Sequence, residues 1–192
     1  HFRNFSAKIV KLSRNFGSHP AVRAGFLNAA APNCVWLGAD LQEPLEIIRL
    51  GYQKIREGYD LVCVQKKNVK VGKSEKLFSN TYSRLIRKYA IPGYPPDGVN
   101  TVFFNEKVKR ELNRNIESNS SVVLQVLNLG FKQTTLDVEY RERVHGRSKW
   151  SFGKKMKLMI DSFVAFSFFP IRMVSAMGFI FAIIGAIIAL YL

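Results

Sequence analysis

A chain of 192 residues suits one domain with room for a core, and 29 Lys+Arg against 14 Asp+Glu give it a net charge of +15. That balance favours a phosphate-rich partner: nucleic acid, a nucleotide or an anionic membrane surface. The two cysteines, Cys34 and Cys63, each sit in an apolar run and offer no disulfide framework or metal spacing, and His1, His19 and His145 form no ligand cluster. In chain order, "AKIVKL" (Ala7–Leu12) reads as a strand, and Pro20 opens a helix reaching about Ala31. "CVWL" (Cys34–Leu37) reads as a short buried strand. From Pro44 to Glu57 a helix is expected, with Ile48, Tyr52 and Ile55 on one face and Gly58 as its stop. "DLVCV" (Asp60–Val64) is again a strand. This alternation predicts an α/β fold with a parallel sheet, in which ligands bind beyond the carboxyl ends of the strands.

Beyond a basic, turn-rich loop (Lys66–Lys76), a helix is expected over Lys76–Ala90. "PGYPPDGVN" (Pro92–Asn100) is irregular, and "TVFF" (Thr101–Phe104) is a strand. Helices follow at Glu106 to about Arg114 and about Ser120–Leu129, and "QTTLDVEYRER" (Gln133–Arg143) alternates like a strand. "VHGRSKWSFGKK" is a basic loop. Met156–Ile171 is rich in phenylalanine, is interrupted by Pro170 and follows a lysine cluster, so it is expected to lie along a membrane interface. Met173–Leu192 carries no charge, and as a helix would span about 30 Å, the thickness of a bilayer core. Lys149, Lys154, Lys155, Lys157 and Arg172 precede it and would place the domain on the cytoplasmic side. The chain opens at His1 and stops inside this apolar run, so a fragment lacking an N-terminal strand is expected.

The candidate chemistry centres on "VWLGADLQEPLE" (Val35–Glu46). Asp40 and Gln42 point the same way if the chain stays extended, and could help hold Mg²⁺ or Mn²⁺ on a diphosphate. On spacing alone, Asp40 or Glu43 could equally assist the start of the helix at Pro44.

"SRNFG" (Ser13–Gly17), "AGFLNAA" (Ala24–Ala30), "GADLQEPLE", "REGYDLV" (Arg56–Val62), "RERVHGRSKWSF" (Arg141–Phe152) and "DSFVAFSFFPIR" (Asp161–Arg172) occur in one order before an apolar helix. In this the chain resembles the family-2 glycosyltransferases that act on polyprenyl phosphates, such as bactoprenol glucosyltransferases and dolichyl-phosphate mannose synthases. The resemblance implies a partial GT-A (Rossmann-like) domain over residues 1–150, an interfacial helical segment over 151–172 and a transmembrane helix over 173–192. It implies transfer of a sugar from a nucleotide sugar (UDP-glucose-like) to a polyprenyl phosphate with inversion, at the cytoplasmic membrane, in cell-envelope polysaccharide synthesis. Nucleic acid is not an expected partner, since the chain shows no recognition helix or aromatic platform. A homo-oligomer is left open.

Residue by residue, the family's metal motif Asp-Ala-Asp-Leu-Gln reads Gly38-Ala39-Asp40-Leu41-Gln42 here. Asp40 and Gln42 remain as metal and diphosphate ligands, and the loss of a carboxylate at Gly38 predicts a weakened Mg²⁺ or Mn²⁺ site. Registering on "NEKV" (Asn105–Val108) puts Asn100 where the family carries an acceptor-facing Asp; Asp97 is the alternative, or a plain turn residue. The resemblance makes Arg141, Arg143 and Lys149 phosphate ligands and Ser148 a hydrogen-bond donor, with Lys66, Lys67 and Lys76 keeping charge nearby. Gly38 and Asn100 also leave room for a rival: a relative that keeps the fold and binds nucleotide or lipid phosphate without turnover.

Overall fold

The computed structural model describes residues 6–40, 42–67, 73–115, 120–141 and 152–191. Four strands form one sheet in the order β1-β3-β2-β4: β1 (Cys34–Val35), β2 (Leu61–Lys66), β3 (Thr101–Phe104) and β4 (Gln133–Val138). The helices are α1 (Ser18–Asn28), α2 (Glu46–Arg56), α3 (Lys73–Tyr89), α4 (Glu106–Arg114), α5 (Val122–Asn128), α6 (Phe152–Phe166) and α7 (Phe169–Tyr191).

The expected parallel sheet is mixed. β2 and β4 run parallel, from Leu61 opposite Gln133 to Lys66 opposite Val138, but β3 lies between β1 and β2 and is antiparallel to both. The segment Ala7–Leu12 forms no strand; Ile9 is 95% exposed, with no neighbouring ladder to bury it.

Alternation along the strands sorts side chains between two layers. Leu61, Cys63, Val102 and Phe104 meet Phe26 of α1, Ile86 of α3, Val108 and Leu112 of α4 and the buried valines and leucines of α5. The rings of Phe26 and Phe104 meet edge to face with centroids 4.9 Å apart. On the other face Val64 and Val138 pack with Ile47 of α2. The face of α2 therefore differs from the expected one. Ile47 and Gly51 are buried, whereas Ile48 and Tyr52 are exposed. Gly51 sits so close to β3 that a Cβ there would fall 2.7 Å from Cγ of Phe103, which is why a residue without a side chain stands at the contact.

α4 shows how local sequence sets a boundary. Asn105 Oδ1 accepts the Val108 N–H at 3.2 Å, Glu106 occupies the first turn and Arg114 the last, matching the helix dipole. Arg23 of α1, nearly buried, donates to the carbonyls of Leu112 and of Asn115, the latter at 2.8 Å, and so satisfies acceptors at the far end of α4.

α6 leans on α3 through Phe163, whose ring meets that of Tyr89 nearly at right angles with centroids 6.3 Å apart, and Ser162 is buried. Ile160 and Val164 stay exposed on its other side. The break falls at Ser167 and Phe168, with Ser167 Oγ accepting the Phe169 N–H, so the final helix starts at Phe169 rather than Met173. α7 is 23 residues long, with none of its most apolar window buried, and is long and apolar enough to cross a membrane.

Candidate functional site

Because β1, β2 and β4 share one direction and β3 opposes them, three strand ends and one strand start meet at a single rim. Residues 36–40 and 42–43 follow β1 there, Lys66 and Lys67 end β2, residues 97–100 lead into β3, and residues 139–141 leave β4. Seven residues singled out from the sequence lie on these segments: Asp40, Gln42, Lys66, Lys67, Asp97, Asn100 and Arg141.

Two pairs of them are joined directly. The Arg141 N–H donates to the Gln42 carbonyl at 2.9 Å, and Gln42 Nε2 donates to the Arg141 carbonyl at 3.4 Å. Ninety-nine positions apart in sequence, these two loops are thereby tied by one main-chain and one side-chain bond, with the Arg141 side chain exposed at the rim. Asn100 accepts the Lys66 N–H on its Oδ1 at 3.2 Å, while its own N–H donates to the Val64 carbonyl. Its side chain thus prolongs the β2–β3 ladder by one bond. Asp97 is exposed in the turn before Gly98, whose φ of 80° favours glycine and whose carbonyl accepts from Gln65 Nε2. Arg143, Ser148 and Lys149 lie outside the described residues, and Lys76 is placed only as backbone in α3.

The loop 38–43 turns its carboxylates inward. The residue at the start of α2 is Leu45, which offers no side-chain cap, and Glu43 instead folds back so that Oε2 accepts the Gly38 N–H at 3.2 Å. A Cβ at Gly38 would lie 2.8 Å from Asp40 Oδ1 and 3.0 Å from Glu43 Oε2. Both carboxylates therefore crowd the space a side chain at position 38 would take, and their oxygens stand within about 6 Å of each other. Hard oxygen donors, with solvent and phosphate to complete the shell, are the donor set Mg²⁺ and Mn²⁺ accept. Among the described residues no group of three or more His, Cys, Asp or Glu side chains forms a metal cage, so such an ion would depend on its ligand for donors.

Two neighbours escaped sequence reasoning. Glu43 was weighed only as an aid to the helix start. Tyr140, one residue before Arg141, feels the charge of Glu43 and has Lys66 over its ring. Burial, and then the negative charge of Glu43, push its hydroxyl well above the usual phenol value, and the hydroxyl has no hydrogen-bond partner. Lys66 Nζ sits 5.4 Å from the centroid of the same ring. An aromatic next to a site arginine at a strand end was the only sequence signal for it.

No protein-family profile matches the chain. Curated proteins do. The chain is 31% identical over 183 residues to an undecaprenyl-phosphate 4-deoxy-4-formamido-L-arabinose transferase of Pectobacterium atrosepticum, covering 95% of this chain and 56% of that protein. It is 33% identical over 189 residues to the uncharacterized glycosyltransferase YkcC of Bacillus subtilis, covering 96% and 58%. An uncharacterized glycosyltransferase of Synechocystis is 27% identical over 190 residues, covering 98% and 60%. Over nearly its whole length the chain is thus similar to glycosyltransferases, among them one named for an undecaprenyl-phosphate acceptor. It spans somewhat more than half the length of these relatives. The homology extends through the rim, so the loops bearing Asp40, Gln42, Asn100 and Arg141 belong to the shared part of these glycosyltransferase relatives.

Proposed function

We propose that the chain is the greater part of a GT-A, family-2 hexosyltransferase that moves a sugar from a nucleotide sugar, UDP-glucose-like, to a polyprenyl phosphate with inversion. The observation that carries this is the similarity, over nearly the whole chain, to a transferase whose name specifies an undecaprenyl-phosphate acceptor. The charge pattern supports it: +15 overall, with Lys66, Lys67 and Arg141 on the rim that holds Asp40, Gln42 and Glu43.

In this reading a lipid phosphate oxygen bonds to the anomeric carbon as the bond from that carbon to the nucleoside diphosphate breaks, and the diphosphate leaves with the electron pair. The acceptor oxygen is already anionic, so the rim need not remove a proton. Asn100, which cannot act as a base, is no obstacle to that step. A divalent cation, held by Asp40 with Gln42 nearby, would neutralise charge on the leaving diphosphate. Lys66 and Arg141 would add fixed positive charge where the diphosphate separates. Arg143, Ser148 and Lys149 would serve the same phosphates from the following loop. The exposed apolar sides of α6 and α7 would hold the rim at the cytoplasmic face of the membrane, within reach of the lipid phosphate.

Membranes containing the full-length protein, incubated with labelled UDP-glucose, Mn²⁺ and undecaprenyl phosphate, should yield a chloroform-soluble labelled lipid. If none of the common nucleotide sugars gives a lipid-linked label, the second reading takes over: a binding protein without turnover, which Gly38 and Asn100 favour.

A further inference from the structure

The loop 38–43 poses a problem of space rather than of backbone. Gly38 is not among the glycines with left-handed φ, so its conformation is open to any residue. What it lacks is room, because the place of its Cβ is taken by Asp40 Oδ1 at 2.8 Å and Glu43 Oε2 at 3.0 Å. Glu43 reaches this point because its side chain is one methylene longer than that of Asp and because the Gly38 N–H draws it back at 3.2 Å. The loop that carries it is held from outside, by the two hydrogen bonds between Gln42 and Arg141. Its charge is felt across the rim, where it helps raise the Tyr140 hydroxyl.

We propose that Glu43 supplies the second carboxylate of the divalent-cation site, next to Asp40, in the space that a side chain at position 38 would otherwise fill. A side chain at 38 would push aside the ends of Asp40 and Glu43, and so competes with the observed placement of Glu43. The site has not lost a carboxylate; the carboxylate enters from the other end of the loop. Its ligand class is Mg²⁺ or Mn²⁺ shared with a diphosphate. This rests on the reading above that the rim binds such a cation.

The test is a titration of the purified full-length protein in detergent with Mn²⁺, following free Mn²⁺ by electron paramagnetic resonance, with far-ultraviolet circular dichroism as a check on folding. Glu43→Gln should weaken Mn²⁺ binding about tenfold or more, as Asp40→Asn should. Gly38→Ala, which changes no charge, should also weaken it by displacing the two carboxylates. Gly38→Asp alone should not tighten binding, whereas Gly38→Asp with Glu43→Gln should recover affinity to within a few-fold of the parent. If Glu43→Gln and Gly38→Ala bind like the parent while Asp40→Asn does not, Glu43 is no ligand and this inference falls, with the cation reading intact. If the parent itself binds no Mn²⁺, or Asp40→Asn binds as the parent does, the cation reading falls as well.

Discussion

At the amino end of β2 the closing contacts are made by side chains with fixed partners. Asn105 Nδ2 donates to Asp60 Oδ1 at 2.7 Å, Lys109 Nζ reaches the Ala31 carbonyl at 2.6 Å, and Gln133 donates to the Gly93 carbonyl. At the carboxyl end polar side chains reach main-chain groups, as Gln42 does at Arg141, Gln65 at Gly98 and Asn100 at Lys66, while the side chains of Lys67, Asp97 and Arg141 are exposed. The difference separates two jobs. One end and the layer of α1, α4 and α5 hold the fold, while the rim is tied by neutral polar side chains to the main chain and leaves the charged heads of Lys67, Asp97 and Arg141 at the surface.

That separation can be broken by experiment, beginning with the core. Phe104→Ala removes a fully buried ring packed on Phe26 and should cost about 3–5 kcal/mol in urea unfolding. Gly51→Ala places a methyl against Phe103 and should cost about 1–3 kcal/mol, although the substitution favours helix in isolation. Asn105→Ala, losing the α4 cap and the Asp60 bond together, should cost about 1–2 kcal/mol by the same measurement. Lys66→Ala and Glu43→Gln at the rim should each stay within about 0.5 kcal/mol of the parent while changing ligand affinity. A rim substitution as costly as Asn105→Ala would collapse the comparison.

A pH profile sharpens it from another side. His19 of α1 accepts the Val122 N–H on Nδ1, and burial holds its pKa below the usual 6.5. The folded state therefore favours the neutral ring. Its contribution is complete above pH 6.5 and is lost as pH falls through the lower folded-state value, where the unfolded chain binds the extra proton. His19→Gln should flatten the decline in thermal midpoint between neutral and mildly acidic pH, leaving whatever the rim contributes.

Much of this was legible in the residues, and the exceptions have physical causes. The helix expected from Glu106 to about Arg114 is α4, and the structure adds the Asn105 cap that fixes its start. The short apolar run Thr101–Phe104 announced a strand but not its direction, since a strand buried on both faces carries no sign of which neighbour it opposes. On α2, Ile48, Tyr52 and Ile55 fit helical spacing as well as Ile47 and Gly51 do. Only the close approach to Phe103 selects the second set, and a glycine at a tight contact looks in sequence like a weak helix former. At the rim, Asp40, Gln42 and Arg141 were recognisable because their motifs are local. The convergence of Glu43 with Asp40 depends on a fold-back over Gly38, which spacing alone does not reveal.

The reversed strand β3 has a consequence for how such a scaffold can vary. Since β3 enters the sheet at the rim instead of leaving it there, the irregular stretch Pro92–Asn100 feeds the rim from the front of a strand whose four residues are all buried. Within that stretch Tyr94 and Pro95 are buried and Gly98 and Asn100 are tied to β2, so only its exposed tip, Pro96 and Asp97, can change without disturbing the sheet. The same short run thus anchors the core at one end and presents a variable edge next to the ligand.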